Sequence, residues 1–383
     1  MLKVGSDFSG VGAFNQALNR LGVEYKEVFA CDMDKYARIT YIHNYGEPEY
    51  YPLNVYDREI PKESLDIYMT SPPCQAFSLV GKRLGKDDKR GVLFFNSLDF
   101  IRQNNPRYFI FENVKGLLSD DGCKTFSEWV NYLGGKSVNG NPVMFNYEDS
   151  VNYHLYWKVL NAKNHGVPQN RERVFLVGIR DDQDNLFLFP KEEPLKKRLK
   201  DVLESEVDEK YFLSEKMLSY LETRSDNFNN GKINYRTEND YATTLTKSSG
   251  SLDISDNILI VGNTNPSGKQ VAKTLDTQCN QGIMIADYRA DEGLRIRKDN
   301  ISPCMTSSMK DYTEWNEKAG TRNPPLVGYA NRIRRLTPRE CFRLMDFPDT
   351  FDFSCVSNSQ AYKQAGNSIV VNVLYKILKK LKL

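Results

Sequence analysis

Leu2-Lys3-Val4-Gly5-Ser6-Asp7-Phe8-Ser9-Gly10-Val11-Gly12, running on into Ala13 to Leu21, is the stretch that decides the fold. Leu2 to Ser6 reads as a short strand, Asp7 to Gly12 as a turn and Ala13 to Leu21 as a helix. Glycines at 10 and 12 let backbone approach a ligand, and the helix start behind them offers unpaired N–H groups. A second strand, Tyr25 to Ala30, ends at Cys31-Asp32, about 20 residues past the turn, where a doubly wound sheet sets a carboxylate against ribose hydroxyls. This spacing fits an adenosine-containing cofactor. The third glycine of the dinucleotide fingerprint is missing, so the pattern alone fits a tight structural turn with a solvated Asp32 equally well.

Working outward, the chain alternates: helix Lys35 to Tyr45, strand Leu65 to Thr70, a helix around Leu93 to Gln103, strand Tyr108 to Phe111. Alternation of this kind predicts an α/β fold, a doubly wound and mostly parallel sheet with helices on both faces. Leu133 to Glu148 is polar and glycine-rich, with Asn139-Gly140 suited to a hairpin turn, and reads as an insertion.

Three further features carry chemistry. Ser71-Pro72-Pro73-Cys74-Gln75, then Phe77-Ser78, sets a cysteine behind a stiff double-proline turn at a strand end. A thiolate there is a candidate nucleophile, although a cysteine taken alone is as readily a small buried residue. Glu112-Asn113-Val114 brings a carboxyl group to the same sheet edge. Gln169-Asn170-Arg171-Glu172-Arg173 leads into the strand Val174 to Ile179; its alternate arginines can point to one side, as they also do on a solvent face.

In this order and at these intervals, the four features resemble the C5-cytosine DNA methyltransferase family. Phe8 to Gly12 looks like its first cofactor motif, Pro73-Cys74-Gln75 its nucleophile motif, Glu112-Asn113-Val114 its acid motif and Gln169 to Arg173 its Gln-x-Arg-x-Arg motif. Near the C-terminus, Arg335-Leu336-Thr337-Pro338-Arg339-Glu340 resembles the motif after the family's recognition region, and Gly366-Asn367-Ser368 its final cofactor motif. The resemblance implies the Rossmann-like fold of S-adenosylmethionine-dependent methyltransferases, with a smaller β-rich inserted domain.

It also implies roles. Cys74 would attack C6 of a cytosine flipped out of the duplex, Glu112 would bond N3 and the exocyclic amine, and Arg173 would hold O2, with Arg171 supporting the pocket or a phosphate. S-adenosyl-L-methionine would lie against Phe8, Ser9, Gly10, Gly12, Asp32, Met33, Pro72, Asn367 and Ser368. Asn54 stands where such enzymes often have an aspartate for the adenine amino group; its amide oxygen can accept the same bond. Gln75, Ser78, Arg90 and Arg335 are the candidate DNA contacts, and the loop Ala76 to Gly91 suits a lid.

Bulk properties narrow the field. The formal net charge of the 383 residues is +2, so DNA contact must come from local clusters such as Lys82, Arg83, Lys86, Lys89 and Arg90, or Arg332, Arg334, Arg335 and Arg339. Seven cysteines without a C-x-x-C pair, and three histidines, give neither a zinc site nor a disulfide framework. No signal peptide or membrane span is readable, so a cytoplasmic monomer acting on double-stranded DNA is expected, with a cognate restriction endonuclease, if present, as a separate protein.

The domain expectation is a catalytic part over 1–184, a target-recognition domain over 185–328 and a C-terminal return over 329–383, with the DNA between the lobes. Within the middle segment, Ala242-Thr243-Thr244-Leu245-Thr246, Ala272-Lys273-Thr274-Leu275-Asp276 and Ser302-Pro303-Cys304-Met305-Thr306 recur at constant spacing and read as β units of one recognition domain, unless the likeness among threonine-rich strands is chance. Restriction-modification or phage self-protection would employ such an enzyme. Rival readings are a transfer-RNA methyltransferase of the same family, whose Cys-Phe-Thr signature is absent, an inactive DNA-binding regulator, and a dehydrogenase.

Overall fold

The computed structural model describes residues 1–73, 92–183, 186–212, 235–236, 240–245, 258–261, 283–289, 293–296, 326–329 and 332–383. Two compact units are present. The first joins Met1–Val202, Tyr241–Ser249 and Pro338–Leu383; the second joins Leu203–Asp240 and Gly250–Thr337.

The first unit is built on a sheet of strands β1 (Leu2–Asp7), β2 (Tyr25–Cys31), β3 (Ile67–Thr70), β4 (Tyr108–Val114), β5 (Ser137–Val138), β6 (Asn141–Pro142), β7 (Tyr153–Asn161) and β8 (Glu172–Arg180). Their spatial order is β2-β1-β3-β4-β8-β7-β5-β6. The first four run parallel, β8 joins β4 antiparallel and β7 joins β8 antiparallel, so the sheet is mixed. Strand order reverses between β1 and β3, and ligand crevices form at such reversals.

The central strands follow from their sequence. Ile67-Tyr68-Met69 and Tyr108-Phe109-Ile110-Phe111 are continuous apolar runs, and both are buried on both faces. Phe94 stacks on Trp129 and Tyr68 on Phe100, each pair with ring centres 4.2 Å apart. Gly178 of β8 leaves room for Phe109, whose ring a Cβ would meet at 2.0 Å.

Seven helices are described: α1 (Ala13–Leu21), α2 (Lys35–Tyr45), α3 (Val92–Asn104), α4 (Lys124–Leu133), α5 (Pro338–Leu344), α6 (Asn358–Asn367) and α7 (Val371–Leu378). Asp34 caps α2 by accepting from the amides of Tyr36 and Ala37. The apolar stripe Val373, Leu374, Ile377 and Leu378 of α7 is buried, and α7 packs on α1. Gln364 of α6 accepts from Thr40 Oγ1 at 3.0 Å and donates to the Tyr36 carbonyl at 2.9 Å, so the C-terminal segment is bolted to α2. Asn139 and Gly140, at φ 48° and 81°, form the hairpin turn between β5 and β6, and β5 pairs with β7, so the insertion extends the main sheet.

The second unit is β-rich. Strands β9 (Tyr235–Arg236), β10 (Ile258–Val261) and β14 (Arg332–Arg335) form one sheet, and β11 (Ile283–Arg289), β12 (Gly293–Ile296) and β13 (Leu326–Tyr329) another. The first of the three sequence repeats is not part of this unit. Ala242 and Leu245 are buried in the first unit, where Ala242 exchanges backbone hydrogen bonds with Pro168 and Asn170. Residues 272–276 and 302–306 lie outside the described residues.

Candidate active site

At the reversal of strand order, the C-terminal ends of β1 and β3 border a cleft of about 360 Å³, part of it open solvent. Phe8, Ser9 and Gly10 line it from the turn after β1, Ser71 from the end of β3, and Asn367 and Ser368 from the C-terminal segment. Five of the residues chosen as cofactor contacts, Phe8, Ser9, Gly10, Asn367 and Ser368, therefore meet although the chain separates them by more than 350 positions.

The turn is held by its surroundings. Asp32, at the end of β2, accepts from Gly10 N through one oxygen and from Asp34 N through the other, each at 2.8 Å. Burial is the largest cause of its raised pKa. Gly10 has φ 56° with open space around a would-be Cβ, whereas Gly12, at φ 83°, would drive a Cβ to 2.2 Å from the Tyr45 ring. Ser9 Oγ is 3.3 Å from the Tyr51 hydroxyl. Phe8 also sits at a left-handed φ of 57°, rare for an aromatic residue.

The other candidates stand nearby or apart. Met33 is 80% exposed. Asn54 caps its own turn: Oδ1 accepts from Tyr56 N at 2.7 Å and Nδ2 donates to Asp57 Oδ2 at 3.1 Å. Pro72 is buried, and its carbonyl accepts from Asn113 Nδ2 at 3.1 Å. Arg335 lies in the second unit with its guanidinium 5.6 Å from the centre of the Tyr211 ring. Cys74, Gln75, Ser78 and Arg90 fall outside the described residues, as do Lys82, Arg83, Lys86 and Lys89.

Glu112 and Arg173 are brought together by register. Glu112 faces Phe175 and Val114 faces Arg173 across the β4–β8 ladder, which makes Glu112 and Arg173 diagonal neighbours on one side of the sheet. Arg173 Nε lies 3.1 Å from Glu112 Oε1, and only 8% of Glu112 is exposed. Burial raises the pKa of Glu112; Arg173, and then Arg171, oppose that rise. Such a carboxyl group can donate a proton at a higher pH than a solvated one.

Arg171 precedes β8, so strand alternation does not govern it. It is buried, and donates from Nη1 to the Leu245 carbonyl at 2.8 Å and from Nη2 to the carbonyls of Gly366 and Ser368 at 3.0 and 2.7 Å. It thereby ties the 241–245 segment and the Asn367 turn to the base of β8. Burial is the first cause lowering its pKa, with the charge of Arg173 next.

Comparison with known proteins decides the matter. The family model for C-5 cytosine-specific DNA methylase matches residues 2–383. The chain belongs to this family. An orphan methyltransferase of Bacillus phage SPR, M.SPRI, is 33% identical over 99% of this chain and 97% of its own length. The type II methyltransferase M.HpaII of Haemophilus parainfluenzae is 32% identical over 98% and 88%. Among solved structures, a DNMT2 mutant of Spodoptera frugiperda shares the fold, with a TM-score of 0.64 and 20% identity over 99% of each chain.

As a DNA (cytosine-5-)-methyltransferase, the enzyme acts on DNA and takes its methyl group from a donor. No helix among its described residues is long and apolar enough to cross a membrane. Several residues that shape this methyltransferase's site gave no separate signal in the sequence. Asn113 stood inside the acid motif, yet its clamp on the Pro72 carbonyl depends on β3 and β4 being neighbours. Arg38 donates to the carbonyls of Asp32, Tyr51 and Pro52 and lies 3.7 Å from the Tyr51 ring centre. Asp7, which borders the cleft, pairs with Arg58. Only the fold joins residues so far apart in the chain.

Proposed function

We propose that the enzyme methylates C5 of a cytosine flipped from a specific duplex DNA sequence, with S-adenosyl-L-methionine as donor, and that Cys74 is its nucleophile. The residues of the cleft fit that donor: glycine backbone at Gly10, the Phe8 ring and polar Asn367 and Ser368, with the Asp32 carboxyl group holding Gly10 N from behind the turn. The donor supplies an electrophilic methyl group on a sulfonium, which C5 accepts once it is electron-rich.

The protein's part is to make it so. Cytosine C5 is a poor nucleophile, and addition of the Cys74 thiolate to C6 pushes electron density onto C5 and N3. Glu112 gives its proton toward N3 as that charge grows, and Arg173 orients the carboxyl group and holds O2. After methyl transfer the C5 proton leaves to a base, the C6–S bond breaks to return the thiolate to Cys74, and N3 gives its proton back to Glu112. Asn113 fixes Pro72, two residues before the thiol, to the strand that carries Glu112. Arg171 is a positioning residue that joins this strand end to the Asn367 turn.

The observation that carries the reading is the buried Glu112, paired with Arg173 at the end of β4, beside the strand whose last residues border the cleft. The second unit would read the DNA sequence, with Arg335 and the Gln75, Ser78 and Arg90 loop contacting the duplex, and the enzyme would work as a cytoplasmic monomer. Likeness to an orphan phage methyltransferase and to type II enzymes supports self-protection of DNA, with or without a separate cognate endonuclease. Conversion-based sequencing of DNA from expressing cells tests this: C5-methylcytosine in one sequence context is expected. Well-folded enzyme that leaves no mark would refute it.

A further inference from the structure

We infer that the buried ion pair Asp7–Arg58 is a positioning device for the cofactor cleft, clipping the loop that carries Tyr51 and Asn54 to the strand tip from which Phe8 departs. The inference rests on the cleft being the S-adenosylmethionine site. Arg58 Nε lies 2.9 Å from Asp7 Oδ1, and the two side chains are 2% and 0% exposed. Tyr68 of β3 donates its hydroxyl to the other Asp7 oxygen at 2.5 Å. The Arg58 guanidinium lies 4.4 Å from the centre of the Phe100 ring and 5.6 Å from that of Phe29.

This is a poor way to stabilise a core. Two charges have been taken out of water, and among the described residues the buried Arg58 Nη1 has no hydrogen-bond partner. Apolar side chains of similar volume hold such a place as well or better. What an ion pair offers instead is direction: it fixes one backbone segment against another at a defined distance and angle.

Its location says what is being fixed. Asp7 ends β1 and borders the cleft; the next residue, Phe8, holds a left-handed backbone that its neighbours must enforce. Arg58 comes from the loop after α2, 51 residues away. The same loop is tied to the turn from above through Tyr51 and Ser9, and to Asp32 through Arg38. The pair adds a second tie between this loop and the strand tip, so the turn that borders the cleft and the loop bound to it are held in place before the cofactor arrives, the condition for tight binding.

Two variants of the full-length enzyme test this. Arg58→Met alone strands a buried carboxylate and endangers folding, so the decisive variant is Asp7→Asn combined with Arg58→Met, which carries no charge yet keeps a partner for Tyr68. Melting temperature, calorimetric affinity for S-adenosylmethionine, and kcat and KM for that cofactor are measured. The double variant should melt like wild type and saturate to the wild-type kcat, with affinity weakened about tenfold, equivalent to roughly 1.4 kcal/mol. Wild-type affinity in the folded double variant, or a collapse of its melting temperature, would show that the pair serves the fold alone. Failure of the wild-type enzyme itself to bind S-adenosylmethionine would instead remove the cofactor reading, and the proposal with it.

Discussion

Arg173 Nε stands 3.1 Å from Oε1 of Glu112, the two side chains sharing one face of the β4–β8 ladder. On the proposed mechanism this pair would set the acid strength of the site. Burial favours the neutral carboxyl group, the arginine favours the carboxylate, and burial is the larger effect. Glu112→Gln keeps the shape and removes the proton. It should lower kcat about 10²- to 10⁴-fold, the range of a lost general acid, while calorimetry finds cofactor affinity unchanged. A kcat near wild type would mean that the carboxyl group takes no part in proton transfer.

The same balance predicts the pH response. A raised pKa keeps Glu112 protonated to higher pH than a solvated glutamate, so kcat/KM for DNA should fall as pH rises through that raised value. Arg173→Ala removes the principal charge lowering the pKa, and the alkaline fall should move to higher pH even as the rate drops. Stability follows by linkage: the native state holds the extra proton, so this contribution is full below the ordinary glutamate value and is lost as pH rises through the raised one. A pH–rate profile that is the same in wild type and Arg173→Ala would contradict the assignment.

Arg171 predicts a different signature. Its three carbonyl partners belong to buried residues, and truncation takes the guanidinium donor from each. Arg171→Ala should lose on the order of 3 kcal/mol or more of stability, measured by urea denaturation without DNA or cofactor. Intact stability with lost turnover would instead make Arg171 a group that touches substrate.

How much of this the sequence disclosed depends on how local each signal is. The β1 turn, the α1 helix and the Asn139-Gly140 hairpin were legible because short-range rules govern them: glycine at positive φ, apolar spacing, turn chemistry. The joining of Asn367 to Phe8 was legible only through the family resemblance. Ala242 to Leu245 looked like one of three equivalent β repeats, but its neighbours Pro168 and Asn170 decide its place, and they are some 70 residues distant. Arg171 shows the limit of strand alternation, which begins only at Glu172, where β8 begins. Nothing local marks Arg58 as the partner of Asp7.

The two glycines of the turn should respond unequally to alanine. At Gly12 an added Cβ meets the Tyr45 ring at 2.2 Å, whereas at Gly10 it meets nothing within 4 Å. Gly10→Ala carries only the left-handed backbone penalty, about 1–2 kcal/mol, and Gly12→Ala adds a collision with the half-buried Tyr45 ring. Thermal melting of both variants should place Gly12→Ala clearly lower; equal melting temperatures would contradict the packing of Tyr45 against the turn.

The central claim is a covalent bond between Cys74 and C6 of an extruded cytosine. Incubation with S-adenosylmethionine and a duplex carrying 5-fluorocytosine in the recognised context measures it directly, since fluorine at C5 cannot leave as a proton does. A protein–DNA adduct that withstands boiling in detergent should accumulate with wild type and be absent with Cys74→Ser. No adduct from active wild-type enzyme, or an equal yield from Cys74→Ser, would contradict the account.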